Sequence, residues 1–384
     1  MGASKENRRH FLKTTATGIA LVHGGSLFAA SPTQITSYPR VAIGRCRRYA
    51  FDAIQASLGD MFDRVGGIQS LVRNKTVTVK VNLTNVRPSQ VYTLPAIETI
   101  YTHPLVTLAC CHLFHEYGAK RIVVVESMTK NSETKAIFNE CGYDTALFES
   151  MVPVIEWENT KNKGTDSRYY TLPVGDKAYA FSSFDFNHRY YDTDVMVSIA
   201  KMKNHDICGL TLSMKNMFGA TPNAIYADPG NEFTTSAKGA LHNGNRNEEM
   251  PGVMTPVLRP GNPGYRLPRI ITDICRARPI DLAIIDGIVS MSGGEGEWNG
   301  AQLGLTCPGV LVAGKNCVGT DAVAASIMGF DPRGAGWSKP FYNADNTLQL
   351  ATDRWLGSND LTQIEVVGQS IEETRYTYLP GKRK

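Results

Sequence analysis

The run Arg121-Ile-Val-Val-Val-Glu126 limits what this chain can fold into more than any other stretch. It is apolar at every interior position, the pattern of a strand buried on both faces rather than one with a wet side. Residues 104–117 precede it and predict a helix, opened by Pro104 and closed by Gly118. Before that helix, Thr76-Val-Thr-Val-Lys-Val-Asn-Leu83 predicts a second strand. Strand, helix and strand at this spacing require a right-handed parallel crossover. The expected fold class is therefore α/β, two-lobed, with mostly parallel sheets and flanking helices.

The alternation continues along the chain. A helix is expected over 133–141, stopped by Gly142, followed by a polar, β-rich stretch over 152–186 and a buried strand over 194–200. Residues 220–268 are rich in Gly, Asn and Pro; an insertion this long forms a lid or binding wall, or else decorates the surface. Beyond it come a helix near 267–277, strands at 281–286 and 309–313, a helix over 321–328 and an edge strand at 364–367. The expected divisions are 1–30, an N-terminal lobe 31–190, a second lobe 191–370 carrying the insertion, and a solvated basic tail 371–384.

Hydrophobic content of 42% with 20% charged residues is ordinary globular usage. The net charge of +4 owes much to Arg8, Arg9 and Lys13 at one end and Lys382, Arg383 and Lys384 at the other. The body between is close to neutral, which argues against nucleic acid as a partner. Eight cysteines occur and none forms Cys-x-x-Cys, so neither an iron–sulfur nor a zinc-ribbon spacing is present. Most lie in apolar runs and read as small buried hydrophobes, with one or two bridges at most.

Arg8-Arg9-His10-Phe11-Leu12-Lys13 resembles the bacterial twin-arginine translocation motif. A weakly apolar run over 14–28, broken by Gly18, Gly24 and Gly25, leads to Ala29-Ala30-Ser31-Pro32, a small-residue stretch of the kind that marks cleavage. The alternative is an ordinary basic N-terminal arm. The resemblance implies a signal peptide of about 30 residues, passage through the twin-arginine export machinery in a folded state, and a periplasmic or secreted location. The run is short of the roughly 20 apolar residues a spanning helix needs, and no later stretch is longer, so no membrane span is expected after cleavage.

Three segments stand in a particular order and spacing: Lys80-Val-Asn-Leu83 with Thr102-His-Pro104 and Gly118-Ala-Lys-Arg-Ile-Val-Val125; Lys203-Asn-His205 with Gly209-Leu-Thr-Leu-Ser-Met-Lys-Asn-Met-Phe-Gly219; and Asp281-Leu-Ala-Ile-Ile-Asp-Gly287 with Gly293-Gly294, Val312-Ala-Gly314 and Thr320-Asp-Ala-Val-Ala-Ala325. Together they resemble the DUF362 family over most of residues 75–370. Some members of that family carry a ferredoxin-type cluster module, whose cysteines this chain lacks. The family name supplies no reaction. A more distant resemblance is to the nickel-pincer lactate racemases: His205 precedes Lys215 by ten residues across a Gly-containing turn, and Arg87-Pro88 follows the first strand. It implies a nickel-pincer cofactor anchored on Lys215, acid/base work by His205 and substrate binding by Arg87. Three departures stand against it. Ser213-Met214 replace a Gly-Gly, Glu126-Ser127 stand where a second catalytic His belongs, and the metal-ligating His has no match unless His242 serves.

The residues themselves point to an anion site. Lys201, Lys203, His205 and Lys215 gather donors at the end of a buried strand, where open α/β sheets bind ligands. Cations concentrated there suit a phosphate or carboxylate. The alternatives are that Lys201 and Lys203 alternate outward on a strand edge, that His205 is structural, and that Lys215 pairs with a core carboxylate. Asp286 and Glu295, with Glu297 and Trp298 on a Gly-rich loop, would form the opposite wall or simply a surface loop. Asp321 is expected to cap its own helix, and His103 is undecided.

The leading expectation is an exported enzyme, isomerase-like or oxidoreductase-like, moving a proton or hydride at an oxygen-bearing carbon of a small polar or anionic substrate. Lys215, His205, Asp286 and Glu295 would be catalytic, and Lys203, Arg87 and Asn216 would bind substrate. A non-catalytic ligand-binding or cofactor-carrier protein, and a metal-dependent hydrolase, are the alternatives.

Overall fold

The computed structural model describes residues 38–83, 90–128, 133–161, 168–230, 238–244, 250, 252, 261–299 and 303–384. The twin-arginine motif, the expected cleavage region and Arg87 lie outside the described residues.

Eight strands make the main sheet: β1 (Arg40–Arg45), β2 (Thr76–Lys80), β3 (Arg121–Glu126), β4 (Ile155–Asn159), β5 (Val195–Lys201), β6 (Leu282–Gly287), β7 (Val310–Gly314) and β8 (Glu365–Gly368). Their spatial order is β8-β1-β7-β6-β5-β2-β3-β4. The ladder β6-β5-β2-β3-β4 is parallel throughout, as is the β1–β8 pair. Only β7 runs antiparallel, against both β1 and β6. Chain on both sides of residue 190 enters this one sheet, so the stretches 31–190 and 191–370 share it rather than each closing a sheet of its own.

Alternate side chains of the strands feed two cores. Val77, Val79, Ile122, Val124, Val197, Ile284 and Leu311 pack on one face, with Leu58 and Phe62 of α1 (Phe51–Arg64) and Val106 and Leu108 of α2 (Pro104–Glu116). Val123, Val125, Met196, Ile285 and Val312 pack on the other, with Ile270 and Ile274 of α3 (Pro263–Ala277) and Val323 and Ile327 of α4 (Cys317–Ile327). Each fully buried aliphatic side chain contributes roughly 1.5–3 kcal/mol, so the central strands hold the scaffold rigid.

Helix ends follow the local chemistry. The His103 ring nitrogen accepts from the Leu105 amide at 3.1 Å and caps α2. Asn262 caps α3 through the Tyr265 amide, so that helix begins at Pro263, four residues before the apolar pattern announces it. Asn316 caps α4, which places Asp321 inside the helix and corrects the expectation that Asp321 caps it.

The C-terminal stretch is anchored before its end, while Lys382, Arg383 and Lys384 are exposed, as expected of a solvated basic tail. Tyr378 is buried and its hydroxyl donates to the Met202 carbonyl at 3.1 Å, while Gly293 donates to the Leu379 carbonyl. Lys384 pairs with Asp206 at 2.5 Å. All eight cysteines are thiols, seven of them buried. No helix among the described residues is long and apolar enough to cross a membrane.

Candidate functional site

From β2 the chain steps outward to β3 and β4 on one side, then returns to lay β5 and β6 on the other. The connecting helices change face with it: α2 packs on the first core, α3 on the second. The connections leaving the carboxyl ends of β2 and β5 therefore run to opposite faces, a topological switch point of the kind where doubly wound sheets form a crevice. Lys80 ends β2, Glu126 ends β3, Lys201 ends β5 and Asp286 lies one residue from the end of β6.

Two buried ion pairs line this edge. Lys80 Nζ sits 2.5 Å from Glu126 Oε1, and both side chains are almost wholly buried. Lys80 also donates to Asn216 Oδ1 at 3.2 Å, while Asn216 Nδ2 donates to the Lys80 carbonyl at 3.1 Å. Burial lowers the pKa of Lys80, which Glu126 partly offsets. The second pair joins Lys201 Nζ to Asp286 Oδ2 at 2.9 Å. Asp286 also accepts from the Tyr49 hydroxyl and the amides of His103 and Ile288. With both oxygens engaged and no exposure, Asp286 is placed as the counter-ion of Lys201 rather than as an open wall of the crevice.

The short turn Ser213–Asn216 stands over these pairs and carries Lys215. Asp321 holds it: Oδ1 accepts from the Ser213 hydroxyl at 2.6 Å and the Ser213 amide at 2.9 Å, and Oδ2 from the Met214 amide at 3.0 Å. Burial pushes the Asp321 carboxyl up to about 7, against those three bonds. Gly219 closes the turn onto Lys80, where an added Cβ would lie 2.8 Å from Nζ. Lys215 is half-buried. Its ammonium lies 4.8 Å from the centre of the Phe218 ring, and it has no hydrogen-bond or carboxylate partner among the described residues. Its charge nonetheless bears on Lys80, Lys203, His205, Lys238, His242 and Glu295.

The two segments expected to face each other do so. Lys203 Nζ donates to the Ile100 and Glu295 carbonyls at 2.9 and 3.1 Å. Asp206 donates its amide to Glu295 Oε2 at 2.6 Å, and Gly293 donates to Asn204 Oδ1. Burial pushes Lys203 down to about 7, where a lysine can exchange a proton. Burial raises the pKa of the Glu295 carboxyl. His205 lies 3.4 Å from that carboxylate, but the pair is not ionic. Its Nδ1 accepts from the Ile207 and Cys208 amides, and burial followed by the Lys215 charge holds its pKa well below 6.5. This assigns the proton of the neutral ring to Nε2, making His205 a hydrogen-bond donor.

Trp298 is partly exposed and donates to Glu295 at 3.4 Å. The Trp298 ring thus leans on the site's own carboxylate.

Three participants escape a reading of the sequence. Lys238, inside the Gly/Asn/Pro-rich stretch, is buried, donates to the Phe218 carbonyl at 2.9 Å and lies 5.1 Å from the same ring as Lys215. Lys80 had a signal, because a lysine inside a strand buried on both faces must be paired. Asp321 had none, since nothing local tells it which helix it will cap.

Among the described residues, no group of three or more His, Cys, Asp and Glu side chains is arranged to hold a metal ion. A nickel-pincer cofactor fits only in part. Lys215 has the open amine that attachment requires, but His242 bonds the Lys238 carbonyl and packs edge-on to Phe218, and Glu126 is committed to Lys80. No step is derived through that group.

Fold and crevice together define a doubly wound α/β protein with a lysine-rich site at its switch point. The chain belongs to the DUF362 family, described as a domain of unknown function, whose model matches residues 77–326. It is similar to the thylakoid-associated protein sll1697 of Synechocystis sp., with 24% identity over 299 residues, 76% of this chain and 75% of that protein. A solved Thermotoga maritima protein aligns with a TM-score of 0.33 and 14% identity over 63% of this chain and 51% of its own, about half its length.

Proposed function

We propose that the crevice at the ends of β2 and β5 binds a small oxyanion, a carboxylate or phosphate, with Lys215 as its principal contact. The observation that carries this reading is that Lys215 has no carboxylate partner among the described residues, within a group of five buried or half-buried lysines: Lys80, Lys201, Lys203, Lys215 and Lys238. Lys80 and Lys201 are each neutralised by a carboxylate, whereas among the described residues Lys215 meets only an aromatic ring. An ordered cation in such a setting is favoured when an anion completes it.

A reaction is the finer part of the reading. A lysine titrating near neutrality at position 203 and an N–H donor at His205 beside an anion-binding lysine suit proton movement at a carbon bearing oxygen. Lys203 would exchange the proton, His205 would hold the oxygen, and Asn216 would keep Lys80 and the turn in register. A cofactor-carrier protein would use the same lysine for attachment, and nothing in the donor arrangement favours a metal-dependent hydrolase. The twin-arginine motif supports export to the periplasm or beyond, with the protein folded before it crosses.

Calorimetric titration of the purified protein with inorganic phosphate and with acetate tests the anion reading. Saturable binding is expected, abolished in Lys215→Ala. Solvent deuterium appearing at carbon in a bound hydroxylated anion would support turnover, and binding without exchange would favour the carrier.

A further inference from the structure

Two polar atoms beside the crevice have no hydrogen-bond partner among the described residues: Asn82 Oδ1 and Ser127 Oγ. Both side chains are more than nine-tenths buried. Their placement follows from the sheet. β2 and β3 pair in parallel register with Lys80 opposite Val125, and the Val81 amide still bonds the Val125 carbonyl, so Asn82 comes to lie beside Ser127. Val77, Val79 and Val81 pack on the α1–α2 face, and the alternation turns Lys80 and Asn82 to the opposite face. Val123 and Val125 pack on that opposite face, and Ser127 continues their parity. Met214 and Met217, which flank Lys215, belong to the same face. The two orphan atoms thus lie on the face that carries Lys80, beside its pair with Glu126, and the charge of Lys215 reaches Lys80.

Buried polar groups left without a partner cost free energy, so a pair of them at a switch point calls for an occupant. The Asn82 oxygen only accepts, and the Ser127 hydroxyl can accept or donate. The occupant must therefore bring a hydrogen-bond donor. An ammonium donor is disfavoured by the surrounding lysines, which leaves a neutral one. We propose that Asn82 and Ser127 form a second subsite that receives a hydroxyl group of the ligand whose oxyanion lies at Lys215. The ligand class is then a polyol bearing a phosphate or carboxylate, and not a bare or alkyl anion. This rests on the oxyanion reading of Lys215 and adds what lies at the ligand's other end.

The test compares matched ligands on the full chain by calorimetry: glycerol 3-phosphate against n-propyl phosphate, and glycerate against propionate. Inorganic phosphate and acetate serve as anion controls. Glycerol 3-phosphate or glycerate is expected to bind about tenfold more tightly than its alkyl counterpart, the contribution of one or two net hydrogen bonds. Whichever series binds identifies the anion. Ser127→Ala and Asn82→Ala are expected to reduce that preference to about twofold while leaving the affinity for the bare anion unchanged. Ser127→Ala keeps the test decisive if the Asn82 variant does not fold. Equal binding of polyol and alkyl anions by the wild-type protein overturns the subsite and leaves Lys215 untouched; it is the result expected if a buried water satisfies both atoms. A preference that survives in Ser127→Ala also overturns it. Failure of every anion to bind removes the Lys215 reading, and the subsite with it.

Discussion

Asp321 Oδ1 lies 2.6 Å from the hydroxyl of Ser213 and 2.9 Å from its amide, so a carboxyl group from α4 caps the turn that presents Lys215. The bond crosses 108 residues of sequence and fixes the turn that carries Lys215. It also brings a titratable group into the core, because burial raises that carboxyl to about 7.

Asp321→Ala strands two amides and a hydroxyl and should lower stability by about 3 kcal/mol. Asp321→Asn keeps an acceptor but cannot titrate. Between about pH 4 and pH 7 the folded protein holds a proton on Asp321 that the unfolded chain releases, so this group's stabilisation falls as pH rises through that window. Denaturant midpoints at pH 5 and pH 8 should therefore drop less in Asp321→Asn than in the wild type. An identical slope in both would show that Asp321 does not titrate there.

His103 contributes with the opposite sign. Burial is the largest cause of its pKa of about 4, opposed by Asp286 and aided by Lys201. The unfolded chain takes up a proton near pH 6.5 that the folded chain refuses until about pH 4. Its stabilisation is complete above about pH 6.5 and is lost as the pH falls. His103→Asn retains a capping oxygen for the Leu105 amide but has no such titration. It should lose less stability between pH 6.5 and pH 4.5 than the wild type, by up to about 3 kcal/mol. Asp321 and His103 act with opposite signs over overlapping windows, so the two variants separate their contributions.

The Lys201–Asp286 pair is predicted to be structural. Removing either partner alone, as Lys201→Met or Asp286→Ala, should cost about 3–5 kcal/mol by stranding the other charge. The double replacement should cost clearly less than the sum, measured as a coupling energy from chemical denaturation. Additive losses would mean that the two charges do not depend on each other.

Most of the scaffold was legible because its periodicity is local. The apolar run at 121–126 is the strand Arg121–Glu126, and the helix opened by Pro104 ends at Glu116. The pairing of segments around Lys203 and Glu295 was legible too, since both follow strand ends. The antiparallel insertion of β7 between β1 and β6 was not, because nothing in Val310–Gly314 records the direction of its neighbours. Nor was the capture of Lys238, whose partner Phe218 lies 20 residues away in sequence, a separation no short pattern encodes. The helix Phe51–Arg64 carried a usable signal, with Ile54, Leu58, Met61 and Phe62 on one stripe.

Export follows from Arg8 and Arg9 if the motif acts as its resemblance implies. Replacing both with lysine should leave the protein in the cytoplasm on fractionation of the native host, with the fold unchanged. Undiminished export of the doubly substituted chain would refute the route.

The central claim is that Lys215 is held in place for an anion and not for the fold. Thermal unfolding of the wild type, Lys215→Ala and Lys215→Arg, each with and without saturating inorganic phosphate or acetate, tests it most directly. Lys215 has no carboxylate partner among the described residues, so Lys215→Ala should melt within a few degrees of the wild type without ligand. The anion should raise the melting temperature of the wild type, raise that of Lys215→Arg less, and leave Lys215→Ala unmoved. An equal anion-induced shift in Lys215→Ala, or a collapse of its stability without ligand, would contradict the account.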